Sequence, residues 1–231
     1  MRHLWKIMAA GEGGQGVQAL AETLALAAYR AERQALYIPN FGIEQRGGVS
    51  LAMVQISDRE IGSPKFLTAD LVAALSPRSL ERCDRYIGSE TIVLYDNSLM
   101  EAPAVADEVV GLQSYDTIAP DAFAERTGYR EGRSAAKRPV AGKFVAVPAA
   151  DQARKMLHPR VFNMIILGAI TGLTRVIDLA LIKEALEVKL NRRFEADPRL
   201  RDHNFRALEL GYEQVREAGE AVAAAPPGGR L

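Results

Sequence analysis

One cysteine, Cys83, stands among 231 residues. That scarcity excludes an internal disulfide and any iron-sulfur cluster held by this chain's own thiolates. Histidine is nearly as rare: His3, His158 and His203 lie far apart and match no metal-ligand spacing, so no metal site is proposed. No apolar run approaches the roughly 20 residues of a membrane helix, and the first residues do not read as a cleavable leader. The expectation is a soluble cytoplasmic protein. Net charge is absent too, because 29 Lys and Arg balance 29 Asp and Glu. No global field therefore gathers nucleic acid or an anionic membrane.

Glycine, by contrast, is concentrated where it has work to do. Residues 7–16 read Ile-Met-Ala-Ala-Gly-Glu-Gly-Gly-Gln-Gly, and a long Ala/Leu-rich amphipathic run follows over residues 17–32. The pattern is strand, glycine turn, helix. Residues 5–10 form the apolar run of a buried strand, and glycine is the residue that accepts positive φ and close backbone approach. Where such a turn opens a helix, unpaired N–H groups and the positive end of the helix dipole favour a phosphate or carboxylate.

Gly11, Gly13 and Gly16 fit the spacing of the dinucleotide fingerprint, G-x-G-x-x-G. That fingerprint also expects an acidic ribose anchor at the end of the next strand. The next strand, residues 35–41, carries none, and the first carboxylate after it is Glu44. An ordinary NAD site is therefore not expected. The glycines serve either another anion or only the packing of helix on strand. Gln15, in the same turn, either bonds a ligand or partner through its amide or faces solvent in the first turn of the helix.

Further strands are predicted at residues 51–56, 69–75, 91–95, 108–112 and 144–147. Helices are predicted from the Ser76-Pro77 cap through Tyr86, and at 151–157, 161–173, 177–194 and 205–218. Alternating strands and helical runs argue for an α/β fold with a mostly parallel or mixed sheet covered on both faces. The last helices carry more apolar surface than one sheet face needs, which suggests either subunit burial or a deeper core of the chain's own. A single domain over residues 1–220 is expected, with a disordered tail at 221–231. Within it, residues 116–143 break the pattern. Between residues 126 and 143, Arg126, Arg130, Arg133, Lys137, Arg138 and Lys143 face only Glu131, as a solvated surface loop or as a lid over an anion.

The polar, glycine-rich loop at residues 41–50 holds Arg46, Gly47 and Ser50. Arg46 is suited to a bidentate bond, either with a ligand carboxylate or phosphate or with Glu44 or a partner's carboxylate across a subunit contact.

Several blocks together resemble the gamma subunit of the 2-oxoacid:ferredoxin (or acceptor) oxidoreductases, the pyruvate, 2-oxoglutarate, indolepyruvate and phenylglyoxylate type. They are the G-x-G-G-Q-G turn at Gly11 to Gly16, and Pro39-Asn40-Phe41-Gly42 with Glu44, Arg46, Gly47 and Ser50. Further on come Ile61-Gly62-Ser63-Pro64, Ala69-Asp70, Asn163-Met164 with Leu167-Gly168, and Asn204 with Ala207, Glu209 and Gly211-Tyr212. The resemblance implies a Rossmann-like three-layer domain beside the active site of a complex. In that family thiamine diphosphate attacks the oxoacid carbonyl, carbon dioxide leaves, electrons pass to iron-sulfur clusters, and the acyl group goes to coenzyme A.

This chain has no G-D-G thiamine motif and too few cysteines for a cluster. Alpha, beta (thiamine-binding) and ferredoxin-like delta subunits would supply them. Coenzyme A binding would fall to Gly11, Gly13, Gly14, Gln15, Gly16, Arg46, Gly47 and Ser50. A stand-alone Rossmann-like nucleotide-binding or scaffold protein is the alternative.

Overall fold

The computed structural model describes residues 4–40, 48–98 and 143–216. Strands β1 (Leu4–Glu12), β2 (Gln34–Asn40), β3 (Val49–Ser57), β4 (Leu71–Ala74), β5 (Ile92–Asp96) and β6 (Lys143–Val147) form one sheet in the order β2-β3-β1-β4-β5-β6. β1, β4, β5 and β6 run parallel, whereas β3 is antiparallel to both β1 and β2. The sheet is mixed, as the sequence predicts. β1 is buried on both faces from Ile7 onward, which is why its sequence is a continuous apolar run and not an alternating one.

Helices α1 (Val17–Arg30), α3 (Ala149–Met156) and α4 (Phe162–Thr174) belong to one side of the sheet, with α5 (Leu179–Ala196) and α6 (Pro198–Gln214) outside them. α2 (Pro77–Cys83) and a following 3₁₀ turn, Asp84–Tyr86, lie on the other face with Met8, Ala10, Val72 and Phe66. Each full burial of a side chain such as Ile7, Leu24 or Ile166 contributes about 1.5–3 kcal/mol.

α4 is buried from Asn163 to Thr174, and its cover comes from within the chain. α6 lies so close that a Cβ on Gly168 would sit 2.0 Å from the Leu208 carbonyl oxygen, and one on Gly211 1.8 Å from that of Ile165. Glycine is required here for space alone. The apolar surplus of α4 therefore builds the chain's own core, and no partner is needed to account for it.

α6 begins at Pro198, seven residues before the predicted start. Its first turns are polar and hide the apolar period, but Asp197 accepts from the Arg199 amide at 3.1 Å and Pro198 sits at the first helical position. Lys143, expected in the basic loop, instead opens β6 and pairs with Glu90 at 3.0 Å. The strand expected at 108–112, the remainder of the 116–143 segment with its other basic residues, and the tail at 221–231 lie outside the described residues.

Candidate functional site

The chain leaves β1 for α1 toward β2 on one side, while the chain beyond β4 builds toward β5 and β6 on the other. The gap between the C-terminal ends of β1 and β4 is thus a topological switch point, the place where open α/β sheets hold ligands. The glycine turn occupies it. Leu75, just past β4, donates its amide to Ala10 at 2.9 Å.

The strand continues through Gly11 and Glu12, so the turn proper is Glu12-Gly13-Gly14-Gln15, closed by the Gln15 amide on the Glu12 carbonyl at 3.0 Å. Gly14 has φ +92°, the left-handed value a type II turn requires at its third residue. Gly16 caps α1 at φ +76°. Gly11 needs no unusual dihedral. It is needed for space, since a Cβ there would lie 2.7 Å from Gln15 Oε1 and 2.7 Å from a Val17 methyl.

Gln15 is half-buried and stands in the turn before α1, not in solvent on the first turn of that helix. Its Oε1 accepts from the Glu12 amide at 2.6 Å and its Nε2 donates to the Leu75 carbonyl at 3.4 Å, tying the turn to the end of β4. The Gly13 amide donates to the Gly48 carbonyl at 3.1 Å. Three turn amides, those of Glu12, Gly13 and Gln15, are therefore already engaged. Gly14 is exposed, has no acceptor for its amide among the described residues, and has nothing within 4 Å of where a Cβ would stand.

The second predicted block arrives beside the first because β3 pairs with β1, with Val49 opposite Glu12. Ser50 is held rather than free: its Oγ accepts from Gln18 Nε2 at 2.7 Å. Gln18 also donates to the Leu51 carbonyl at 2.9 Å and accepts from the Tyr37 hydroxyl at 2.6 Å, which binds α1 to β2 and β3. Burial, with Glu22 adding to it, raises the pKa of Tyr37, so that hydroxyl stays a donor. Arg46 and Gly47 lie outside the described residues.

Two participants were not assigned to the site from sequence. Asn163, at the start of α4, donates from Nδ2 to the Gly16 carbonyl at 3.3 Å, and a Cβ on Gly16 would come within 2.3 Å of that nitrogen. It was visible only as part of a family-like block 147 residues away. Glu12 is 2% exposed, and neither carboxylate oxygen has a hydrogen-bond partner among the described residues. It occupies the variable position of the G-x-G-G-Q-G turn, and strand alternation aims it away from α1, on the face of Met8 and Ala10.

A sequence profile described as "Pyruvate ferredoxin/flavodoxin oxidoreductase" matches residues 6–214. Ketoisovalerate oxidoreductase subunit VorA of Methanothermobacter thermautotrophicus is 29% identical over 92% of this chain, which spans only 36% of that relative's length. Other relatives match over nearly their whole length. Pyruvate synthase subunit PorC of Thermotoga maritima is 25% identical, covering 89% of this chain and 92% of its own. The gamma subunit of NADH-dependent phenylglyoxylate dehydrogenase from Aromatoleum evansii is 27% identical, covering 92% and 94%.

Among solved structures, the gamma subunit of a keto/oxoacid ferredoxin oxidoreductase from Geobacter sulfurreducens superposes with a TM-score of 0.63 at 22% identity, over 96% of this chain and 99% of that one. A 2-oxoglutarate:ferredoxin oxidoreductase from Magnetococcus marinus gives 0.67 at 21% identity, over 98% of this chain and 33% of that one. With its mixed sheet, its switch-point glycine turn and these matches, the chain belongs to the pyruvate ferredoxin/flavodoxin oxidoreductase family, among its gamma-type chains.

Proposed function

We propose that this chain is the gamma subunit of a thiamine-diphosphate-dependent 2-oxoacid:ferredoxin or acceptor oxidoreductase, and that it contributes coenzyme A binding and part of the active-site wall. The observation that carries the reading is the exposed Gly13-Gly14 turn at the switch point, beside the N-terminus of α1, whose Gly16 cap brings no side-chain acceptor. An anionic group of coenzyme A fits above Gly14, where the amide has no acceptor and the space is open among the described residues. The Magnetococcus relative is described with coenzyme A and succinyl-CoA bound, which supports the same assignment. Arg46, Gly47 and Ser50 would complete the cradle from the β2–β3 connection, with Ser50 acting through its bond to Gln18.

Thiamine diphosphate and iron-sulfur clusters supply the carbanion and electron-transfer chemistry, and alpha, beta and delta chains would hold them. The isolated chain is then folded but silent with any 2-oxoacid, thiamine diphosphate, coenzyme A and an electron acceptor. Turnover by the chain alone would revive the stand-alone alternative.

Gly13 is the cleanest place to test the cradle, being exposed and outside the positive-φ region. In the assembled complex, Gly13→Val is expected to raise the apparent KM for coenzyme A about tenfold, a loss of ~1.4 kcal/mol, with kcat largely kept. An unchanged KM would make the turn structural only.

A further inference from the structure

At the end of the sheet opposite the glycine turn, a cleft of about 430 Å³ opens between the start of β1, the end of β3 and the connection at residues 58–70. Its wall includes the Ile61-Gly62-Ser63 part of a sequence block to which the glycine-turn site assigns no task. Lys6 and Lys65 line it, no carboxylate does, and neither ammonium forms an ion pair with a described residue. Asp70 accepts from the Lys6 backbone amide at 2.8 Å. Leu67 stands on the rim 88% exposed, the most exposed large apolar side chain among the described residues.

The connection that displays Leu67 is rigidly held. Phe66 turns inward, 6% exposed, and meets Tyr86 edge-on at 6.3 Å. Gln55 Nε2 donates to the Ser63 carbonyl at 2.8 Å, Ser63 Oγ donates to the Lys65 carbonyl at 2.9 Å, and the Ala69 amide donates to the Tyr86 carbonyl at 2.8 Å. Gly62 has ordinary φ and nothing within 4 Å of where a Cβ would stand, so no packing among the described residues requires a glycine there. A preorganised apolar knob beside two cations that have no ion-pair partner among the described residues has the makeup of an interface anchor with a charged rim.

We infer that this cleft docks another subunit of the complex, through a segment presenting an aspartate or glutamate next to an apolar side chain. The carboxylate pairs with Lys6 and Lys65, and the apolar group packs on Leu67. The inference rests on the reading of the chain as a subunit, and it concerns a surface separate from the coenzyme A cradle.

The test is a binding titration of the purified chain against the co-expressed remaining subunits, read by analytical gel filtration and interferometry. Leu67→Asn and Lys65→Glu are each expected to raise the Kd about tenfold or more, with unfolding temperatures unchanged because both side chains project to solvent. Lys65→Arg should bind as wild type. Val188→Asn, on α5 across the sheet and 58% exposed, is the apolar control and should leave the Kd alone. If wild type binds and Leu67→Asn and Lys65→Glu bind equally well, the docking proposal falls while the subunit reading stands. If wild type itself fails to bind, the subunit reading falls and takes the docking proposal with it.

Discussion

Two helices begin at the same end of the sheet, and their N-termini are finished in opposite ways. α3 follows β6, and its first amides are closed from the neighbouring strand: Asp96 Oδ2 accepts from the Ala150 amide at 3.0 Å and Ser98 Oγ from the Asp151 amide at 3.0 Å. Asp96 also accepts from the Ser98 amide at 3.0 Å and from the Ser98 hydroxyl. α1 follows β1 with Gly16 as its cap, no side-chain acceptor and no acidic residue in its first turn. An anion arriving at α3 finds a carboxylate already there, whereas one arriving at α1 finds amides. The difference locates the candidate ligand site more sharply than the presence of a helix end does.

Gly16→Ala should be the largest disturbance of that contrast. It combines a left-handed dihedral with a Cβ 2.3 Å from Asn163, and about 2–3 kcal/mol of stability should be lost, read from urea unfolding. Asp96→Ala should cost about 1–2 kcal/mol by uncapping α3, and the exposed α3 amides should then retain an anion that wild type does not, visible as added stability in phosphate.

Gly14→Ala meets open space and pays only for φ +92°, about 1 kcal/mol, so its complex should assemble with the cradle altered. A cost equal to that of Gly16→Ala would show that the turn is packed against something the present contacts do not reveal. The smallest effect concerns pH. Burial raises the Asp96 pKa above 3.8, against the lowering by its bonds to Ser98 and Ala150. A raised acid pKa favours the folded state below the unfolded value and withdraws that support as pH rises through the folded one. The stability of wild type relative to Asp96→Asn should therefore fall as pH climbs from about 3.8.

Much of the fold was legible because burial and turn chemistry write themselves locally. The apolar run before Gly11, the Ser76-Pro77 cap and the helical period of residues 161–173 mark elements that the structure contains within a few residues. The cap is even reciprocal, with Ser76 and Ser79 each accepting from the other's amide. The site was only partly legible. That a turn stood at Gly11 to Gly16 followed from glycine's dihedral freedom, but which glycine supplied φ and which supplied room did not. Gln15 could not be placed, because its acceptor is a carbonyl 60 residues away. The joining of Ser50 to the turn depends on β3 inserting antiparallel between β1 and β2, a pairing that strand patterns alone do not dictate.

That inserted strand has a consequence for how the region can change. From Gln34 opposite Ser57 to Asn40 opposite Leu51, β2 and β3 form a continuous ladder, and β3 is locked to β1 along its whole length. Among the described residues, those ladders and the Gln18 bonds fix the register of this edge of the sheet. Asn40 and Val49 are thereby two fixed posts beside the glycine turn, and Gly48 is tied to that turn because its carbonyl accepts from the Gly13 amide.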